Sequence, residues 1–317
     1  MRLRAAHVRV RVPATSANLG PGFDALGLAL GLHDEIEVRA LGAPGVRVEV
    51  HGEGAGSVPD DETHLVVRAL RAALDHVGAP QTGLHLVCRN RVPHGRGLGS
   101  SAAAVVGGIL AARGLVEPGA LDDDVALALA TQFEGHPDNA APALLGGLTV
   151  AWSDDATGDV APVRAARLEV HRDLAPVAVV PPGHLSTHAA RGVLPARVPH
   201  ADAAWQAGRA ALLVEALGRR PDLLLPATQD RLHQGYRREV MPASLALVDA
   251  LRAQGVAAVV SGAGPTVLVL ARRAPGSQDG TDADAAVADA FGGVMAGWRV
   301  LRLPVDATGA EVTTLLD

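Results

Sequence analysis

Polar side chains suited to binding a small charged molecule concentrate in four short loops of this 317-residue chain. The loops cover residues 15–24, 93–103, 134–139 and 261–266, and together they offer ligands for a phosphate, a divalent cation and a polar substrate. Taken singly, each is equally consistent with an ordinary turn, a helix cap or a hairpin, because Asn, Asp and Ser bond readily to nearby backbone. The chemistry that these four loops can perform therefore depends on whether they lie close together in the folded protein.

The loop 93–103 has the order expected of an anion-binding loop that leads into a helix. Gly97 and Gly99 let the backbone approach a ligand, and we expect Ser100 or Ser101 to cap the helix that follows. The helix start would direct free N–H groups and the positive end of the helix dipole at a phosphate. A Walker loop is excluded because the chain has no lysine, and a dinucleotide fingerprint requires glycine where Ser100 stands.

Glu134 is a candidate ligand for a divalent cation. It follows a predicted helix at 122–133, and Mg²⁺ beside phosphates needs only one or two protein oxygens, here a carboxylate and a hydroxyl of Ser100 or Ser101. Helix capping explains the same segment equally well. The spacing from His136 to Asp138 is not a zinc pattern, and no cysteine stands nearby.

Four further side chains are candidates for contact with a polar substrate. Asn18 and Asp24 lie in the first loop, where bonds to their own backbone are the alternative. Arg191 and Arg237 fall in polar helical segments, where arginine is usually solvated, but a guanidinium can also hold a carboxylate through two hydrogen bonds.

The elements around these loops predict an α+β fold of two domains, because strands cluster early in the chain and helices later. In the first half, strands are predicted at 8–12, 36–39, 46–50, 84–88 and 148–152, with helices at 63–77 and 122–133. In the second half, strands are predicted at 177–180 and 299–305, a strand-loop-strand at 257–271, and helices at 202–217, 221–233, 242–254 and 283–296. Pro13 should end the first strand. Two strand-helix units around a glycine-rich hairpin predict a ferredoxin-like second domain. A turn-rich break at 153–158 divides the chain into domains 1–155 and 156–317.

Composition excludes several classes of protein. Hydrophobic residues make up 48% and charged residues 20%, as in an ordinary soluble domain. A net charge of −6 and 2% aromatic residues argue against a nucleic-acid partner. Cys88 is the one cysteine, in an apolar context typical of a core residue. No signal peptide or membrane-spanning stretch is recognisable, so a cytoplasmic location is expected.

The four loops, in order, resemble the motifs of the GHMP kinases, which include galactokinase, homoserine kinase, mevalonate kinase and phosphomevalonate kinase. Pro93-x-x-x-Gly97-Leu98-Gly99-Ser100-Ser101-Ala102-Ala103 resembles their phosphate loop. The segments 13–24, 134–147 and 261–266 are similar to motifs of the homoserine kinases within that superfamily. The resemblance spans nearly the whole chain.

The resemblance implies an N-terminal domain like ribosomal-protein S5 domain 2, a C-terminal ferredoxin-like domain and a site between them. It implies phosphorylation of the L-homoserine side-chain hydroxyl to O-phospho-L-homoserine in threonine biosynthesis, with ATP and Mg²⁺. The residues implied to hold the ATP phosphates are Pro93, His94, Gly95, Arg96, Gly97, Leu98, Gly99, Ser100, Ser101, Ala102 and Ala103, and those implied to hold Mg²⁺ are Ser100 and Glu134.

The positions that match the homoserine pocket of the family are Asn18, Asp24, His136, Asn139, Thr187, Arg191, Arg237 and Gly264. The two arginines would clamp the carboxylate. We expect Asn18 and Asn139 to align the hydroxyl, with its proton passing to phosphate, Asp138 or Asp24. One departure is His64-Leu65-Val66 where family members usually have Asn-Leu-Val beneath the adenine, so the adenine contacts are not carried over.

Two alternatives stay open at the level of sequence. A different small alcohol could be the substrate, although mevalonate lacks an ammonium group and its kinases rely on a lysine that this chain does not have. The chain could also be a sensor that binds ligand without turnover, but a sensor need not keep Ser100, Glu134 and Arg237. No nucleic-acid or membrane partner is expected, and a homodimer is compatible with the sequence.

Overall fold

The structure is a computed structural model that describes residues 3–154, 162–274, 276–277, 280–290 and 296–315. Its strands are β1 (His7–Ala17), β2 (Leu26–Leu41), β3 (Val46–Gly52), β4 (Gly83–Asn90), β5 (Leu148–Ser153), β6 (Val163–Leu168), β7 (Val177–Val180), β8 (Ala258–Val260), β9 (Val267–Val269), β10 (Arg299–Arg302) and β11 (Glu311–Thr314). Its α-helices are α1 (Leu65–His76), α2 (Ser100–Leu115), α3 (Asp123–Glu134), α4 (Ala140–Leu145), α5 (Thr187–Gly192), α6 (His200–Gly218), α7 (Leu224–Ala227), α8 (Pro242–Ala253) and α9 (Asp284–Ala290). Short 3₁₀ helices lie at Pro221–Leu223 and Gly235–Arg237.

The first sheet is formed mainly by the N-terminal half of the chain. Its strand order is β11-β1-β2-β4-β3, while β5 pairs with β2 and with β6. All these pairs are antiparallel except β3 with β4, which α1 joins. On β1, Val8, Val10 and Val12 are fully buried and alternate with exposed arginines. This buried face packs against α2, whose small residues allow close contact.

The prediction that Pro13 ends the first strand was wrong. β1 passes Pro13 by a shift of register between Pro13 and Ala14, and a bulge is a position where a strand tolerates proline. The strand predicted at 36–39 is confirmed, but it is part of a longer strand, β2, that begins at Leu26. Past the bulge, β1 is buried on both faces and carries the chain directly to the first loop.

The second sheet has the strand order β10-β7-β9-β8, with every pair antiparallel. This order, with helices between the strands, confirms the predicted ferredoxin-like topology. One face packs against α8 and α9. The other face, with Ala178 and Leu268, packs against α6 and against Leu28 and Leu30 of the first sheet, so one core joins the two sheets.

The predicted helix at 221–233 was wrong beyond α7. Asp230 accepts hydrogen bonds from the backbone N–H groups of Leu232, His233 and Gln234, and this carboxylate-capped turn takes the place of a helix. The predictions also missed three elements that are short or lack clear periodicity, namely α4, β6 and β11, whereas the helical segment predicted around Arg191 is α5.

The predicted boundary at 155/156 and the end of the predicted helix at 283–296 lie outside the described residues. Strands from both sides of that boundary nevertheless enter the first sheet, since β6 pairs with β5 and β11 pairs with β1. Over the described part of the chain, no helix has the length and apolar character needed to cross a membrane.

Candidate active site

The first, second and fourth loops bond directly to one another, and the third, residues 134–139, bonds to the first two through Asn139 and Glu134. The Oγ atom of Ser261 lies 2.6 Å from Gly97 O and 2.8 Å from Ser16 Oγ. The backbone N–H of Thr15 donates to Leu98 O over 3.0 Å, and that of Gly262 donates to Ala17 O over 3.0 Å. These bonds join residues far apart in sequence and position the loops around one space.

The third loop, residues 134–139, completes a depression that we call the central cavity. Its lining comprises Asn18, Gly95, Gly97, Gly99, Ser100, Ser101, Glu134, His136, Asp138, Asn139, Leu185, Thr187, Arg191, Arg237, Gly262, Ala263 and Gly264. Asp24 adjoins it, because its carboxylate lies within 4.8 Å of ligand atoms of His136 and Asp138. Sequence reasoning missed Leu185, Gly262 and Ala263 as lining residues, although the last two belong to a recognised motif.

The loop before α2 opens onto the central cavity through glycines in the left-handed region. Gly97 has φ 74° and Gly99 has φ 71°. A Cβ on Gly99 would lie 1.9 Å from Thr15 Oγ1, and one on Gly97 would lie 2.3 Å from Ser261 O. Only glycine therefore fits at these positions, where the loop packs directly against Thr15 and Ser261.

The predicted serine cap of this helix was wrong. α2 begins at Ser100 itself, with Gly99 as the capping residue and no side-chain cap bond. The hydroxyl of Ser101 donates instead to Glu134. The first N–H groups of this 16-residue helix have no side-chain cap and are available to a ligand.

Several residues of the predicted phosphate loop do not line the central cavity. The side chains of Leu98, Ala102 and Ala103 are fully buried in the core. Arg96 donates to the carbonyl oxygens of Pro181 and Pro182, which ties the loop to the end of β7. Pro93 is also buried, and His94 faces a neighbouring cavity. Direct contact with an anion is therefore limited to the glycines and serines of the loop.

Glu134 is the last residue of α3 and lies beside the start of α2. Its Oε1 atom accepts a hydrogen bond of 2.6 Å from Ser101 Oγ, so its partner is Ser101 and not Ser100. Burial raises the pKa of Glu134 above its ordinary value, and the bond from Ser101 offsets only part of this effect. A carboxylate in this position gains stability from a bound cation.

Asp24 and Arg191 form an ion pair at the edge of the cavity. Two hydrogen bonds, of 3.2 Å and 2.5 Å, join the guanidinium to the two carboxylate oxygens. Arg191 also lies over the ring of Phe23, 5.5 Å from its centroid. Both charged side chains are about one-third exposed, so a zwitterionic ligand can reach both charges.

Arg237 is buried in the wall of the cavity, with 1% of its surface exposed. It donates to Gly262 O over 3.0 Å, to Ala190 O over 3.2 Å and to His233 Nδ1 over 3.0 Å. His233 in turn donates from Nε2 to Gly20 O over 2.7 Å, which fixes its neutral tautomer. Burial lowers the pKa of Arg237 to about 10, so it keeps its charge at neutral pH.

Three polar side chains meet where α4 begins. His136 Nδ1 and Asn139 Nδ2 lie 2.5 Å and 3.3 Å from the same Asp138 oxygen, Oδ1. Thr15 Oγ1 donates to Asn139 Oδ1 over 2.8 Å, which orients the amide so that Nδ2 faces Asp138. Asn18, by contrast, uses its amide to fasten two loops, donating to Gly262 O and accepting from the Asp24 backbone.

Comparison with known proteins identifies the relatives of this chain. The family model of the GHMP kinases N terminal domain matches residues 64–147, and that of the GHMP kinases C terminal region matches residues 207–292. The homoserine kinase of Streptomyces avermitilis is 54% identical over 315 residues, covering 98% of this chain and 97% of that protein. The homoserine kinase of Clavibacter michiganensis is 52% identical over 306 residues, covering 96% and 93%. The crystal structure of homoserine kinase from Cytophaga hutchinsonii has a TM-score of 0.83 at 27% identity and covers 98% of each chain.

Proposed function

We infer that this chain, which belongs to the homoserine kinase family of the GHMP kinases, transfers a phosphoryl group from ATP to the side-chain hydroxyl of L-homoserine. The products are ADP and O-phospho-L-homoserine. The observation that carries this inference is one cavity that joins a helix start lined by glycine and serine to paired charges suited to an amino acid. Phosphoryl transfer requires mainly that the two substrates be positioned and their charge neutralised.

The ATP phosphates are held by the backbone N–H groups at the start of α2, together with Ser100 and Ser101. Gly97 and Gly99 permit the close approach that such bonds require. The chain has no lysine, so the remaining positive charge at this site comes from arginine and from a metal ion.

Glu134 and the serine hydroxyls fit a divalent cation. The buried carboxylate with a raised pKa is stabilised by a positive charge, and a hydroxyl already lies 2.6 Å away at Ser101. We propose that Glu134, with Ser100 or Ser101, holds Mg²⁺. When bound, Mg²⁺ neutralises charge on the phosphates of ATP.

The amino-acid part of homoserine carries one positive and one negative charge, and the cavity offers a partner for each. Asp24 binds the ammonium group, while Arg191 and Arg237 bind the carboxylate. In the free protein Asp24 and Arg191 bind each other, so the substrate replaces their ion pair with two new ones. Thr187, His136 and Gly264 line the same cavity and complete the pocket.

The hydroxyl to be phosphorylated is aligned by Asn139, whose Nδ2 faces the cavity beside Asp138. Asn18 acts by holding the first and fourth loops together. In the proposed complex Asp24 pairs with the ammonium group of the substrate, and Asp138 already bonds to His136 and Asn139. Because both carboxylates are occupied by these partners, the hydroxyl proton passes to a phosphate oxygen during transfer.

We propose a cytoplasmic location, where ATP is available, and a division into domains near 155/156 with the site between them. A homodimer stays a prediction that sedimentation equilibrium would test.

The activity itself is tested by coupled ADP release with homoserine, mevalonate and galactose, and turnover with homoserine alone is expected. Saturable homoserine binding without turnover would instead favour the sensor.

A further inference from the structure

His233 is fully buried and lies behind the lining of the central cavity. The Nδ1 atom of its ring accepts a hydrogen bond of 3.0 Å from the Arg237 guanidinium. Because a guanidinium only donates, the ring proton lies on Nε2, which donates to Gly20 O over 2.7 Å. The ring of Phe23 stacks on the imidazole, with the centroids 4.9 Å apart. One histidine therefore joins the wall of the cavity to the first loop.

The first loop has a backbone that needs support from its neighbours. Asn18, Leu19 and Asp24 adopt positive φ angles of 68°, 51° and 56°, although none of them is glycine. Such conformations are unfavourable for residues with a side chain and persist only where surrounding contacts hold them. Asp24 is the residue proposed to bind the ammonium group, so the direction of its carboxylate depends on what holds this loop.

Two side chains of the C-terminal half hold carbonyl groups of the first loop. His233 donates to Gly20 O, and Gln206 Nε2, on α6, donates to Pro21 O over 3.0 Å. Asp230 connects these two donors, because its Oδ1 atom accepts from Gln206 over 2.7 Å and its Oδ2 atom accepts the backbone N–H of His233 over 3.1 Å. The two donors thus belong to one hydrogen-bonded network.

We propose that His233, assisted by Gln206, is a positioning residue that sets the distance between the two charge partners of the substrate. Nδ1 of His233 holds the Arg237 guanidinium for the carboxylate, and its Nε2–H group holds the loop that presents Asp24 to the ammonium group. An alcohol with both charged groups on one carbon is then favoured over an alcohol with only one of them. This inference rests on the proposed binding of homoserine.

Two analogues of homoserine separate the two contacts. 3-Aminopropanol lacks the carboxylate, and γ-hydroxybutyrate lacks the ammonium group. We define the carboxylate ratio as kcat/KM for homoserine divided by that for 3-aminopropanol, and the ammonium ratio as kcat/KM for homoserine divided by that for γ-hydroxybutyrate. Both values of a ratio come from one protein preparation, so an unfolded fraction lowers them equally and leaves the ratio unchanged.

His233→Gln and His233→Asn each retain one of the two bonds. A glutamine extends to the position of Nε2 and can donate to Gly20 O, whereas the oxygen of an asparagine lies near the position of Nδ1 and can accept from Arg237. We expect His233→Gln to lower the carboxylate ratio about tenfold and to keep the ammonium ratio within about twofold, and His233→Asn to do the reverse. Equal changes in both ratios, or no change in either, would give His233 a purely structural role and overturn the proposal.

Gln206→Met provides a second measurement from a different element, in case neither histidine variant folds. It removes the bond to Pro21 O and should lower the ammonium ratio about fivefold, with the carboxylate ratio unchanged. An unchanged ammonium ratio would contradict support of the first loop by the C-terminal half. His33→Gln is the control, because His33 is also buried but pairs with Asp306, and both of its ratios should stay within about twofold of wild type.

Proton exchange of the Arg237 guanidinium, followed by NMR without substrate, tests the contact with His233 even if the protein phosphorylates no alcohol. Exchange with water should be slow in wild type and in His233→Asn, and about tenfold faster in His233→Gln. Equal rates in the three proteins would overturn the proposal. An absence of turnover, together with the expected exchange rates, would overturn only the proposed function.

Discussion

At the scale of single residues, the site depends on charges whose surroundings the sequence does not reveal. Arg237 lies in a polar segment that suggests a solvated side chain, yet it is buried against Gly262 O, Ala190 O and His233. These partners come from three separate segments. The motif resemblance identified the residue, but its burial follows only from the way those segments pack.

Arg237→Lys is expected to lower kcat/KM for homoserine by about 100-fold or more, because an ammonium group cannot reproduce several fixed N–H donors. Steady-state kinetics measures this effect. Arg238→Lys is the matched control, since Arg238 is an exposed neighbour that pairs with Asp249, and its kcat/KM should stay within about twofold of wild type. A similar small change in Arg237→Lys would remove Arg237 from the site.

Glu134→Gln should abolish most activity and at the same time stabilise the fold. Burial raises the pKa of Glu134, so the ionised carboxylate costs folding free energy once the pH exceeds the pKa of the unfolded chain. The glutamine removes this cost while its side-chain oxygen can still accept from Ser101. We expect the free energy of unfolding at pH 7 to rise by roughly 1 kcal/mol.

Urea unfolding at several pH values measures this gain, which should vanish below the ordinary pKa of a glutamate, where the carboxyl is protonated in both states. Glu117→Gln is the control, because that glutamate pairs with Arg4 on the surface. A Glu134→Gln protein that is less stable than wild type at pH 7 would contradict this account of the site.

At the scale of elements, the loop-to-helix unit at α2 positions the phosphate site. The order of glycines and serines predicted a loop leading into a helix, and this prediction is confirmed. The sequence did not predict the first residue of the helix, because Gly99 adopts its left-handed φ against Thr15 of a distant strand. The continuation of β1 past Pro13 and the turn at Asp230 likewise depend on tertiary contacts, which local sequence patterns do not predict.

Gly99→Ala is expected to destabilise the protein by about 2–4 kcal/mol and to weaken ATP binding, because the new Cβ would lie 1.9 Å from Thr15 Oγ1. Gly119→Ala is the matched control. Gly119 also has a positive φ, 85°, but nothing lies within 4 Å of its added Cβ. Gly119→Ala should lower the free energy of unfolding by only about 1–2 kcal/mol. Thermal unfolding and ATP titration measure both variants, and equal effects would show that the contact with Thr15 is unimportant.

At the scale of the whole molecule, the two halves of the chain are joined at several places. The last described strand, β11, returns to the first sheet, and one core cluster includes residues of both sheets. Asp24 comes from the N-terminal half and Arg191 from the C-terminal half, yet they bond across the cavity. The resemblance predicted a site between domains, but the return of β11 had no clear pattern in the sequence.

Asp306→Asn tests one contact between the two halves of the chain, at a position remote from the cavity. His33 Nε2 lies 2.6 Å from Asp306 Oδ2, and both side chains are largely buried. Burial opposes ionisation of Asp306, but the bonds from His33, Gly309 and Thr308 outweigh it and lower its pKa. The variant should lose about 1–3 kcal/mol at pH 7, with KM for both substrates unchanged.

Because the pKa of Asp306 is lowered in the folded state, its contribution is present above the ordinary pKa of an aspartate and is lost as the pH falls through the folded-state value. Urea unfolding from pH 7 to pH 3 should therefore show the wild-type and variant curves converging at low pH. A constant difference at every pH would contradict the ionised Asp306 carboxylate as its source.

The cavity should recognise an amino acid and direct phosphorylation of its hydroxyl. Phosphorus NMR of the product tests this after incubation of the protein with ATP, Mg²⁺ and an equimolar mixture of homoserine, mevalonate and galactose. We expect one new phosphate monoester, O-phospho-L-homoserine, formed together with ADP, and its loss in Arg237→Lys. Phosphorylation of mevalonate or galactose, or the absence of any new ester while homoserine binds, would contradict it.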